Sequence, residues 1–112
     1  MSAPRLPHRL VLEGPVRVPD GVGGHDGGWA VLGVLWGALA AGAGSAAGDP
    51  VPFGRVAWRI TVRAAPAGAP ERPVAGQRLR LGARVFAILA VAERDPGGCY
   101  LTCFAREEEV SA

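Results

Sequence analysis

The 112-residue chain contains no lysine: its twelve cationic side chains are all arginine, opposed by ten acids, for a net charge of +2. A balance so near neutrality excludes binding to nucleic acid by bulk charge alone. The serines number three, Ser2, Ser45 and Ser111, and two of them sit in terminal tails, so a serine–histidine nucleophile has no good candidate. Cys99 or Cys103 with His8 is the one thiol–histidine pairing left to consider. The two cysteines and two histidines show no zinc-type spacing, so no metal site is expected. On one strand Cys99 and Cys103 would stand about 13 Å apart on the same face, beyond disulfide reach, and read as small buried apolar thiols. The acid run Glu107-Glu108-Glu109 falls in the C-terminal tail, where a solvated charge cluster is the ordinary reading. The chain is therefore not read as an enzyme, and no cofactor is expected.

Long hydrophobic runs are also scarce. The start, Met1 to Pro7, has no apolar core of a secretory signal, which leads us to expect a cytoplasmic protein. Gly27 to Gly48 is uncharged over 22 residues, but seven are glycine and only Trp29–Trp36 is densely apolar, so no membrane span is expected. Within that stretch Gly42-Ala43-Gly44-Ser45-Ala46-Ala47 fits a dinucleotide-binding pattern with alanine last. Gly48-Asp49-Pro50 would end the required helix at once.

What the sequence does have is β-periodicity. Arg55 to Arg63 alternates strictly, with Val56, Trp58, Ile60 and Val62 on one face and Arg55, Arg59 and Arg63 on the other, the pattern of a half-buried strand with a cationic outer face. A first strand is read near His8–Glu13, and Trp29–Trp36 as a second, apolar on both faces and hence central or covered by a partner. Gln77–Leu81, a Gly82-Ala83 turn and Arg84–Glu93 form a hairpin; a turn at Arg94–Gly98 leads into Cys99–Phe104. These add up to an all-β fold, a small antiparallel barrel of about six strands, in one domain over residues 1–112. The expected connections are long: a Gly/Ala-rich loop over 37–54 and an exposed Pro-rich loop over 64–76, with flexible ends at about 1–5 and 107–112.

Charge is segregated along the chain, about −1 in residues 1–54, +6 in 55–84 and −3 in 93–112, as head-to-tail self-association would use. The arginines Arg55, Arg59 and Arg63, joined by Arg78, Arg80 and Arg84, either contact phosphate or carboxylate groups or only keep a strand face soluble. The seven aromatics fall mostly at core-parity positions, which leaves no stacking platform for bases. A free-standing nucleic-acid-binding barrel using the arginine face is the alternative function.

The order and spacing of these pieces resemble the phage head-tail joining family: the Leu6–Leu12 strand, the glycine-rich turn before Trp29, the Leu35-Trp36 pair, RVAWRITVR, and the double hairpin GQRLRLGARVFAILAVAERDPGGCYLTCFARE. The resemblance covers about residues 5–110 and is nearest to the branch found in the gene transfer agents of alphaproteobacteria. It implies a structural connector, of the adaptor or head-closure stopper kind, forming a six-fold ring of its own copies between portal-side adaptor and tail terminator proteins and retaining or passing double-stranded DNA. Such a subunit would be cytoplasmic during assembly and part of the particle's neck afterwards. From the charge segregation and the apolar second strand, the subunit or connector interface is expected to draw on Trp29, Trp36, Arg55, Arg59, Arg63, Arg78, Arg80, Glu107, Glu108 and Glu109; by the resemblance, a ring or channel loop would draw on Leu39, Ser45, Asp49 and Phe53. The chain departs from the family at Gly37-Ala38-Leu39-Ala40-Ala41, where relatives carry polar or charged residues.

Overall fold

A computed structural model describes residues 4–16, 28–42 and 57–108. Six strands form a closed antiparallel barrel: β1 (His8–Pro15), β2 (Trp29–Ala41), β3 (Ala57–Arg63), β4 (Arg78–Leu81), β5 (Arg84–Glu93) and β6 (Tyr100–Glu108), in the order β1-β2-β3-β6-β5-β4. The six-strand all-β reading of the sequence is thus the observed fold. Alternation does the sorting. Leu10 and Leu12, Leu35, Ile60 and Val62, Leu79, Phe86 and Ile88, and Leu101, Cys103 and Ala105 all point inward and make one core. Burial in that core pushes the Cys103 thiol up to about 12, whereas Cys99 precedes β6 and is exposed. Only one of the two cysteines is therefore the buried thiol expected.

Two corners close the barrel. β2 is paired with β1 from Trp29 to Gly37 and with β3 from Gly37 to Ala41, so Gly37 alone has a neighbour on both sides. A side chain there would sit 2.6 Å from Leu10 Cδ1 and 2.9 Å from the Thr61 carbonyl oxygen, which is why the corner is glycine. The second corner is a bulge in β5, where Ile88 faces Ala105 and Ala90 faces Phe104, leaving Leu89 as the extra residue. The β4–β5 connection is the two-residue turn Gly82-Ala83, with Gly82 at φ 62°, the positive-φ first position of a hairpin turn whose twist matches its strands.

Three boundaries differ from the sequence reading. β2 continues five residues past Trp36, so the connection expected at 37–54 starts instead at Gly42. Alanine has little strand preference of its own, but Ala38, Ala40 and Ala41 are held by pairing with Thr61, Arg59 and Trp58, while Leu39 turns toward the core. Leu39 is accordingly a wall residue, not part of a loop. β6 runs on to Glu108, through the start of what looked like a flexible tail. The Pro-rich segment from Ala64 to Gln77 is tied to the barrel, with Pro73 fully buried, the Arg72 guanidinium donating to the Ala65 carbonyl at 2.7 Å, and Gly76 N–H donating to Ile88 O.

Candidate functional site

The arginines do not share one face. β3 and β4 are three strands apart counted either way round the barrel, so Arg59 and Arg63 lie on the wall opposite Arg78 and Arg80. The two groups also differ in what they touch. Arg78 donates from Nε to Glu13 at 2.6 Å and Arg80 approaches the other carboxylate oxygen at 3.5 Å, over an acid that is only 6% exposed. Arg78 also stacks its guanidinium on the Trp29 ring at 4.1 Å. Register explains the cluster: Glu13 is paired with Arg78 and Val31, and Pro15 with Trp29, so these side chains emerge side by side. On the far wall Arg59 and Arg63 are exposed and form no ion pair among the described residues; Arg63 lies 5.9 Å over the Tyr100 ring.

Glu107 is not a free tail acid. Cys103, Ala105 and Glu107 share the inward parity of β6, which carries the Glu107 carboxylate into one mouth of the barrel. There it accepts hydrogen bonds from Arg84 Nε at 2.8 Å, Arg84 Nη2 at 3.0 Å and Trp58 Nε1 at 3.1 Å. The Arg84 hydrogen bonds hold Glu107 below its ordinary carboxylate range, and Glu107 in turn raises Arg84. Arg84 covers both Trp58 and Phe86, at 5.2 and 5.0 Å, and those two rings meet edge to face at 5.9 Å. The arrangement is a lid over the core. Sequence reading missed it because three consecutive glutamates look like a tail; the inward parity of Trp58 and Ala105 was the available signal.

Among the described residues, the outer wall of β2 carries four of the seven exposed large apolar side chains. Trp29, Val31, Val34 and Trp36 are exposed by 42, 63, 43 and 54%. The aromatics thus depart from the expected core parity: Trp29, Trp36 and Phe104 all face outward, although on separate walls. Where β2 has no β3 partner, between Trp36 and the segment from Arg63 to Glu71, a groove of about 540 Å³ opens, lined by Leu6, Val34, Leu35, Trp36, Ala64, Ala65 and Pro66. The opposite wall carries a second, smaller patch made by Leu89 at the β5 bulge, 56% exposed, and Phe104, 41% exposed.

Of the other residues singled out in the sequence, Glu108 is exposed at the end of β6, and Arg55, Glu109, Ser45, Asp49 and Phe53 lie outside the described residues. Among the described residues no cluster of histidine, cysteine and acid could hold a metal ion, and no helix is long and apolar enough to cross a membrane.

No curated protein matches the chain. The family model for phage head completion proteins matches residues 1–108. Among solved structures, a chain of the virion of a native gene transfer agent particle is 55% identical, superposes with a TM-score of 0.81, and is covered over its full length by 97% of this chain. Barrel, length and sequence agree in these matches, and the chain belongs to the phage head completion protein family.

Proposed function

We propose that the chain is a structural neck subunit of a phage-like particle of the gene-transfer-agent kind, and not a catalyst. It assembles with copies of itself into a ring, six-fold by the family resemblance, between a portal-side adaptor protein and a tail terminator protein. The ring closes the filled head and retains or passes the double-stranded DNA in its channel. The observation that carries this reading is the uncovered wall of β2. Four large apolar side chains stand outward on one strand of a folded barrel, beyond the scattered exposure that a solitary domain tolerates, and mark a surface made for a protein neighbour. The pairing of Arg78 and Arg80 with Glu13 and of Arg84 with Glu107 supports the same view, since three of the six arginines that could have met phosphate already face a carboxylate within the chain.

Particles from a strain lacking this chain test the proposal. The expected result is DNA-filled heads without tails, alongside free tails. Tailed particles at normal yield would overturn it.

A further inference from the structure

Building on the ring reading, we propose that neighbouring copies meet head to tail through two unlike surfaces: the open flank of β2, with its groove, receives the bulged β5–β6 patch of the next copy. The pair is complementary in form. The receiving side is concave, a groove of about 540 Å³ floored by Val34 and Trp36 and walled by Pro66. The donating side is convex, because the bulge sends Leu89 and Ala90 outward together beside Phe104. Of the large apolar side chains exposed among the described residues, all but Val74 belong to one of these two surfaces.

Their placement decides the mode of association. In the closed six-strand barrel Leu89 on β5 is three strands from β2 and Phe104 on β6 is two, so the two surfaces face in different directions. One copy cannot satisfy both with a single partner. A contact of one surface with the other leaves a free receiver at one end and a free donor at the other, and such a chain closes into a ring when the rotation permits. Charge orients the contact along its length. Arg9, in register with Trp36, and Arg63 on the groove rim outnumber Glu71 there. On the donating side Glu93 and Asp95 outnumber Arg94 toward the β5–β6 turn, while Arg59 and Arg106 flank Phe104 on its other side. The acidic turn end, Glu93 and Asp95, is therefore the end of the donating surface that faces Arg9 and Arg63 of the adjoining copy, with Leu89 and Phe104 seated on the groove.

Cross-linking in assembled particles separates this contact from the joining role itself. A chain carrying Cys99→Ser, Val34→Cys and Phe104→Cys, oxidised within tailed particles, is expected to give a ladder of covalent multimers on a non-reducing gel. Either new cysteine alone should leave monomers. Monomers from tailed particles bearing both cysteines would overturn the contact and leave the neck role standing. Dimers from Val34→Cys alone would overturn it in favour of a two-fold pairing of β2 walls. If the doubly substituted chain forms no tailed particles, sedimentation of purified Trp36→Glu and Phe104→Glu chains decides. Each alone should be monomeric and their equimolar mixture should double in mass, because each retains the surface the other lacks; two folded variants that stay monomeric when mixed overturn the proposal.

Discussion

Glu107 shows how much one side chain's parity can matter. Its sequence neighbour Glu108 has the same chemistry and is exposed, whereas Glu107 is turned into the barrel mouth, where Arg84 and Trp58 donate to it. The folded protein therefore favours the ionised form of Glu107 relative to the unfolded chain, whose glutamates titrate near about 4.3. A depressed folded value contributes stability that is present above the unfolded value and is lost as pH falls through the folded one. Asp95 adds to the same window, its carboxylate lowered by the backbone N–H groups of Tyr100 and Cys99. We expect Glu107→Gln to lower the melting temperature at pH 7 and to flatten the acid limb of a stability–pH curve measured between pH 2 and 6 (order of the carboxylate range). The part due to Asp95 should remain. An acid limb of unchanged slope would show that the lid contributes no differential proton binding.

The strands divide into those legible from the sequence and those that only the pairing explains. β3 and the β4–β5 hairpin could be read from alternation and from the Gly82-Ala83 turn, because each buries one face on bulky side chains and leaves arginine or small residues on the other. The end of β2 could not. Ala38, Ala40 and Ala41 offer neither bulk nor strand preference, and what holds them extended is the ladder to β3. The outward direction of Trp29, Trp36 and Phe104 was equally hidden, since an aromatic at a strand position says nothing of which wall it leaves by, and the bulges in β1–β2 and β5–β6 shift the parity count. Gly37 is the element-scale device that makes one long strand serve both sides of the barrel. Gly37→Ala would force a methyl group against Leu10, the Thr61 carbonyl and Val62 Cγ1 at 3.1 Å. The expected cost is about 1–3 kcal/mol, the usual range for overpacking, read as a lower urea midpoint at unchanged m-value. Gly68→Ala, at φ 86° with open space around it, separates the two sources of loss: it tests backbone conformation without any clash.

At the scale of the whole barrel, the segregation of charge along the sequence does not survive as one cationic face. The +6 segment is folded into opposite walls, one of which spends its arginines on Glu13 while the other keeps them exposed. Two pairs of substitutions that look alike in sequence should therefore behave in opposite ways. Arg78→Ala with Arg80→Ala strands a carboxylate that is only 6% exposed and removes the stacking on Trp29. A loss of about 1–3 kcal/mol of folding stability is expected, the range for leaving a buried acceptor without its donors. Adding Glu13→Gln should recover part of it, since the stranded charge is then gone. Arg59→Glu with Arg63→Glu removes no ion pair within the described chain, and surface reversals of this kind normally stay within about 0.5 kcal/mol. Its melting curve should match the parent's, while the yield of tailed particles should collapse, because Arg63 rims the groove and Arg59 stands beside Phe104 in the β3–β6 register. Normal tailing by the Arg59/Arg63 reversal would mean that the exposed wall of β3 plays no part in assembly, and a loss of stability equal to that of the Arg78/Arg80 pair would mean that its arginines serve the fold instead.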